Sequence, residues 1–229
     1  MVEVFAIKLV DEENYIKSRK ELLSILPESL ILKIQRFKRV DDEQRSLLGE
    51  VLSRIIISEK TGIKINNLSI LKSENGKPKL QNCPDFHFNI SHSGQWVVLG
   101  IANAQVGIDV EKIKKPVYRI AERYFSEEEL ITLNQLSEPA KQAYFFDLWT
   151  LKESYLKMLG KGLTKSLGSF TITGSNGVFS LINDKFLKDI VFLKQYNLDP
   201  LYKLSICSED KTFSSSVQQL EIEQLLNSD

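Results

Sequence analysis

Two short segments of this chain carry carboxylates at spacings that chemistry can use. The first is Gly107-Ile108-Asp109-Val110-Glu111. In a strand, residues two apart project from one face, so Asp109 and Glu111 stand side by side while Ile108 and Val110 face a core. Adjacent carboxylates repel unless a cation joins them. Such an oxygen-only pair suits magnesium, which keeps several waters and takes further ligands from substrate phosphates. Read alone, the same alternation also describes a strand with an acidic, solvated face. The second segment is Trp149-Thr150-Leu151-Lys152-Glu153-Ser154-Tyr155-Leu156-Lys157. On a helix, Glu153 lies beside Trp149 and Lys157, each four positions away. That is an ordinary surface pair unless this face meets the acidic strand. If it does, Glu153 becomes a third metal ligand or a base, and Lys157 a phosphate-binding cation.

Two further groups of residues could bind anions. In Asn89-Ile90-Ser91-His92-Ser93-Gly94, neighbouring Ser91 and His92 point apart on an extended chain and make a poor nucleophile–base pair. A turn offering hydroxyls, an imidazole and free backbone N–H groups suits phosphate oxygens better, though it is also a plain hairpin turn. The basic residues Lys33, Arg36, Lys38, Arg39 and Arg45, with Lys77, are mostly a solvated helix face. Arg45, followed by Ser46 near a helix start, is the pair among them best suited to a phosphate.

Each candidate needs an element to hold it. Val2, Val4 and Phe5 predict a strand over 1–10. Pro27 opens a helix with apolar Leu30, Ile31, Ile34 and Phe37. A long helix over 41–59 carries Leu47, Leu48, Val51, Leu52, Ile55 and Ile56 on one stripe and stops at Gly62. A strand over 68–71, a turn at 74–78, and a hairpin of strands 86–90 and 96–102 joined by 91–95 follow. Beyond a strand over 106–110, Ser126 caps a helix that starts Glu127-Glu128-Glu129. A second long helix over 139–159 is closed by Gly160 and Gly162. Short strands at 170–173, 178–181, 190–193, 201–206 and 215–218, then a helix at 221–226, complete the pattern. With a seam at 103–105, the expected organisation is an N-terminal subdomain 1–103 and a C-terminal subdomain 104–229, in the α+β class.

Composition limits the partners. Lys+Arg and Asp+Glu both number 30, so no net charge draws the chain to nucleic acid or an acidic membrane. No apolar run is long enough to span a bilayer, and the start lacks a signal-peptide pattern. Cys83 and Cys207 cannot build a disulfide framework, so a cytoplasmic location is expected.

Taken in order, these segments resemble the 4′-phosphopantetheinyl transferase family, in its larger Sfp-type class. The family pairs a Gly-x-Asp-x-Glu strand with a downstream Trp-x-x-Lys-Glu helix, here Gly107 to Glu111 and Trp149 to Glu153. The likeness extends through 45–49, 76–78 and 88–94 and thins after Gly162. It implies two similar subdomains related by a pseudo-twofold, each a small antiparallel sheet packed with a long helix, working as a monomer. Coenzyme A would lie between the halves, with magnesium (manganese in its place) on its pyrophosphate. Its phosphopantetheine group would pass to a serine of an apo acyl, peptidyl or aryl carrier protein, leaving 3′,5′-ADP. The resemblance makes Asp109, Glu111 and Glu153 the metal ligands, and Glu153, Lys157 and Asp109 the catalytic set. Ser91, His92 and Lys157 would contact the pyrophosphate, Lys33, Arg45 and Ser46 the 3′-phosphate, and Gly76, Lys77 and Pro78 the adenine. Lys152 would orient Glu153 or bind phosphate. Leu30 replaces a lysine that members can carry three residues before Lys33. The segment 124–133, with the aromatic pair Tyr124 and Phe125, is expected to meet the acceptor. A non-catalytic module binding carrier proteins and coenzyme A, and a magnesium-dependent nucleotide hydrolase, remain as other classes.

Overall fold

A computed structural model describes residues 1–160, 167–175, 177–182 and 190–227; Gly162, expected to close the second long helix with Gly160, lies outside them. In the first half, β1 (Glu3–Lys8) pairs antiparallel with β5 (Trp96–Ala102), which pairs with β4 (His87–Ser93). Every residue of β5 is buried, because both of its faces are covered. Val97, Leu99 and Ile101 pack into a core with Leu47, Leu48, Val51, Leu52 and Ile55 of α3 (Val40–Thr61). Val98 and Ala102 face the other way, into a core shared with the second half. The helices α1 (Glu12–Ser24) and α2 (Glu28–Ile34) pack on this half, and β2 (Ile70–Lys72) and β3 (Pro78–Leu80) form a small hairpin.

The second half opens with β6 (Val106–Lys112). It continues through α4 (Arg119–Tyr124), α5 (Glu127–Gln135), α6 (Ala140–Leu159), β7 (Thr171–Ser175), β8 (Val178–Ile182), β9 (Phe192–Tyr196) and β10 (Tyr202–Ser208). Its antiparallel sheet runs β6-β10-β9-β8-β7. The capping box at α5 forms: Ser126 accepts from the Glu129 N–H, and the Glu129 carboxylate accepts from the Ser126 N–H. The chain then returns to the first half. There β11 (Gln218–Leu220) joins β1 in parallel, and α7 (Ile222–Leu226) puts Ile222 and Leu225 into the first core. A division at 103/104 thus falls between β5 and β6, while β11 and α7 belong spatially to the first half.

Each half therefore packs a long helix on an antiparallel sheet, as the α+β reading expects. Two helices went unforeseen. Asp11 caps α1 by accepting from the Asn14 N–H, yet only Tyr15, Leu22 and Leu23 of that helix are buried, too thin a stripe to stand out in a polar segment. The short α4 buries Ala121 alone. The 91–95 connection is also shorter than its composition predicts. Ser91, His92 and Ser93 are laddered against Val98, Val97 and Trp96, so the turn is confined to Gly94 and Gln95.

The tightest contact lies between α6 and β6. A Cβ on Gly107 would sit 2.1 Å from the Met158 backbone nitrogen and 2.2 Å from the Ser154 carbonyl oxygen. Backbone cannot give way as a side-chain tip can, so helix and strand touch here only because residue 107 has no side chain. Gly107→Ala is expected to lever α6 off β6, costing at least about 1–3 kcal/mol in urea unfolding, the usual range for overpacking. An unchanged midpoint would show that the contact is softer than drawn.

Candidate active site

Because α6 lies directly on β6, residues two and four after Gly107 emerge against the helix face that carries Glu153 and Lys157. Asp109 is almost fully buried. Its Oδ1 accepts from Lys157 Nζ at 2.6 Å and from Ser91 Oγ at 3.0 Å, and Lys157 also donates to Ser91 Oγ at 2.9 Å. The other oxygen, Oδ2, is buried with no hydrogen-bond partner among the described residues. Glu111 Oε2 accepts from Ser93 Oγ at 2.8 Å. Glu153 is half-buried and makes no hydrogen bond or ion pair with any other described residue.

Burial raises the pKa of all three carboxyls. For Asp109 this outweighs the opposing pull of Lys157 and Ser91. For Glu111 the Ser93 hydrogen bond opposes burial, and the Asp109 charge adds to it. For Glu153 the Asp109 charge adds to burial, Lys157 opposes, and Glu111 adds again. Glu111 and Glu153 thus both feel the Asp109 charge, as carboxylates in a site short of positive charge do. Among the described residues, no three His, Cys, Asp or Glu side chains are grouped closely enough to hold a metal on their own.

What carries β6 to the first half is a row of side chains. β4 and β6 are edge strands of their sheets. Asn89 Oδ1 accepts from the Ile108 N–H, Ser91 Oγ from the Val110 N–H and Ser93 Oγ from the Lys112 N–H. Alternate side chains of one strand thus satisfy alternate amides of the other. Ser91 and Ser93 then also hold Asp109 and Glu111.

The remaining candidates spread along the cleft. His92 points out beside this row. Partial desolvation, then the charges of Arg45 and Lys157, hold its pKa below the usual value, so the ring is neutral near pH 7. Arg45 donates to the Gly94 carbonyl at 2.6 Å and pairs with Asp42; Ser46 is half-buried beside it. Lys33 is exposed on α2 and unpaired among the described residues. Gly76 sits in an exposed turn at φ 83°, and Pro78 lines an inter-half cleft of about 840 Å³ with Phe86, His87, Gln105 and Met158.

Two independent family models match this chain. One, described as the 4′-phosphopantetheinyl transferase superfamily, covers residues 105–207; the other, the N-terminal part of 4′-phosphopantetheinyl transferase, covers 16–105. A 4′-phosphopantetheinyl transferase psf-1 of Bacillus pumilus is 37% identical over 99% of this chain and 98% of its own. The chain belongs to the 4′-phosphopantetheinyl transferase family. It is also similar to the 4′-phosphopantetheinyl transferase Sfp of Bacillus subtilis (34% identical, 95% of each chain) and to the enzyme gsp of Aneurinibacillus migulanus (39%, covering 84% of this chain and 80% of that one).

Within this transferase framework the structure corrects the expectations for Lys152 and Phe125 and specifies which part of Lys77 can face the cleft. Lys152, the lysine of the Trp-x-x-Lys-Glu motif, faces away from Glu153. Its fully buried ammonium pairs with buried Glu129 at 2.8 Å, donates to the carbonyls of Leu167 and Phe170, and lies 4.3 Å from the Phe170 ring centre. It braces α6 against α5 and β7 and meets no phosphate. The Lys77 ammonium is likewise spent on protein acceptors, at Gln105, Val106 and Met158, so only its stem and backbone face the cleft. Phe125 is buried against Phe145, which leaves half-buried Tyr124 and Leu130 and exposed Ile131 as the apolar surface of 124–133. Sequence reasoning assigned no role to Asn89, Ser93 or Glu129. The alternation Asn89-x-Ser91-x-Ser93 was the available signal, and it becomes readable once β4 is known to run through Ser93.

Lys152→Met should strand the Glu129 carboxylate in the core and cost about 3–5 kcal/mol by denaturant titration, with part recovered in a Lys152→Met/Glu129→Gln double variant. Purely additive losses would show that the two do not act as a pair.

Proposed function

We propose that this chain transfers the 4′-phosphopantetheine group of coenzyme A to a serine hydroxyl of an apo acyl, peptidyl or aryl carrier protein, giving the holo carrier and 3′,5′-ADP. The observation that carries the reading is the set of carboxylates beside Lys157, in which buried Asp109 keeps its Oδ2 without a partner among the described residues, in a chain of this family. The reading extends to a cytoplasmic monomer with no nucleic-acid or membrane partner. No helix of the described residues is long and apolar enough to cross a membrane.

The cluster fits magnesium, or manganese in its place. Its donors are hard oxygens, and one is a buried acceptor with nothing to accept from. A site without a closed protein cage suits an ion that completes its sphere with water and phosphate. Asp109, Glu111 and Glu153 would hold it. Once bound, it would place positive charge on the pyrophosphate as the bond breaks.

In the reaction, the acceptor serine Oγ bonds to the β-phosphorus of coenzyme A, and the bond from that phosphorus to the bridging oxygen breaks. The electron pair leaves with 3′,5′-ADP. Glu153 takes the serine proton, directly or through a water. Lys157, held between Ser91 and Asp109 yet partly open to solvent, offsets charge on the leaving phosphate. The neutral His92 ring offers a polar contact to the pyrophosphate, and Ser91 holds Lys157 and Asp109 beside it. Arg45, Ser46 and Lys33 take the 3′-phosphate, and the Gly76 turn with Pro78 and the Lys77 stem takes the adenine. The acceptor docks near Tyr124 and Ile131.

Glu153→Gln keeps the side chain's size but removes its charge and its capacity for a proton. The variant should keep its circular dichroism spectrum and transfer phosphopantetheine about 10²–10⁴-fold more slowly, read as carrier mass gain. A folded variant with near-parental turnover would leave Glu153 a half-buried helix residue with no part in the transfer. Exhaustive chelation should stop transfer, and added magnesium or manganese should restore it. Full turnover in metal-free buffer would refute the metal assignment alone. Release of 3′,5′-ADP without any acceptor would instead mark a hydrolase.

A further inference from the structure

We infer that Lys77 is a positioning residue that locks the C-terminal end of α6 to the start of β6 from the opposite half of the molecule, fixing the spacing of the groups those two elements carry. Lys77 Nζ donates to Met158 O at 2.7 Å, Val106 O at 3.0 Å and Gln105 Oε1 at 3.1 Å. An ammonium has three N–H donors, so all are used and none is left for a ligand. Each acceptor lies where a cation matters. Met158 is in the last turn of α6, where carbonyls lack helical partners and the helix dipole is negative. Val106 is the first residue of β6 and immediately precedes Gly107, the point of closest helix–strand approach. Gln105 is in the segment joining the halves.

The stem is seated as well as the head. α6 ends at Gly160 with φ 64°, and a Cβ on Gly160 would lie 3.1 Å from Lys77 Cδ. Burial pushes the Lys77 pKa down to about 8, with Lys79 adding to that and Glu209 opposing it. A cation so desolvated is tolerable only while its acceptors stay in place. The geometry therefore depends on the distance between the halves, and it holds that distance. The neighbours of the clamp are functional: Lys157 immediately precedes Met158, and Asp109 follows Val106 along the same strand. A side chain from β3's leading turn thus governs how Lys157 and Glu153 face Asp109.

The test is Lys77→Met, which keeps the stem and deletes the ammonium. Hydrogen–deuterium exchange of the ligand-free protein, resolved by peptide mass spectrometry, should speed up by about tenfold or more in the last turn of α6 and in β6, while the β1–β5 ladder keeps its protection. The kcat for transfer should fall by about tenfold or more, with KM for coenzyme A within about threefold of the parent. A raised KM with unchanged kcat and unchanged exchange would make Lys77 a direct coenzyme A ligand and overturn the proposal, as would no change at all. If Lys77→Met does not fold, Gln105→Leu decides. It removes one acceptor and should raise exchange in the same two segments to a smaller extent; unchanged exchange there refutes the clamp. Only the kinetic arm rests on the transferase reading, so the exchange result stands even if that reading fails.

Discussion

The whole site depends on a helix lying against a strand with no side chain between them. At Gly107 the backbone of α6 approaches β6 so closely that even a methyl group has no room. That contact converts two local periodicities into one three-dimensional arrangement. The strand repeats every two residues and presents Asp109 and Glu111 on the side Gly107 faces; the helix repeats every three to four and presents Glu153 and Lys157. With a larger residue at 107 the helix would stand off, and a 2.6 Å bond between Lys157 and Asp109 could not form. Thr150 Oγ1, 2.7 Å from Ser205 Oγ on β10, fixes the helix's rotation on the same sheet.

The second constraint is how two sheet edges meet. Exposed edges usually pair or are blocked, because their free N–H groups are sticky. Here β4 and β6 do neither. Asn89, Ser91 and Ser93 answer the β6 amides with side-chain oxygens. Each such bond adds only about 0.5–1.5 kcal/mol net, so the row sets alignment more than it adds stability. It also leaves the serine hydroxyls able to hold Asp109 and Glu111, which a backbone ladder could not do. The apolar packing of Val98, Val106, Ile108 and Ile206 beneath supplies the adhesion.

How much of this the sequence discloses follows from whether the signal is local. The long helices, the strand alternation through Asp109 and Glu111, and the Ser126 cap are written within a few residues, and they emerge as expected. The meeting of Gly107 with Met158 is not local, and nothing near either residue in the sequence announces it. The same limit hid the partner of Lys152. Nothing near Lys152 in sequence reveals that Glu129 waits in the core, so its motif position suggested chemistry where the fold uses it as a brace. α1 escaped for a different reason: three buried residues among polar ones leave almost no periodic signal.

The lysines make the general point. Lys77, Lys152 and Lys157 are chemically identical, and all three sit in or beside family motifs, yet their duties differ. The deciding quantity is the balance between donors and fixed acceptors. Lys152 faces a carboxylate and two carbonyls with no solvent, and Lys77 faces three acceptors; both are fully spent inside the protein. Lys157 bonds Asp109 and Ser91 and remains about 29% exposed, so one donor and a path to water are left over. A cation can stabilise charge that develops during a reaction only if the protein has not already saturated it. The carboxylates obey the same rule in reverse. Glu129 is filled by Lys152 and by the Ser126 and Ile172 amides, whereas Asp109 keeps one buried oxygen with nothing to accept from. Unfilled valence beside a leftover donor, not the motif letters themselves, is the local feature on which the proposed phosphate site rests.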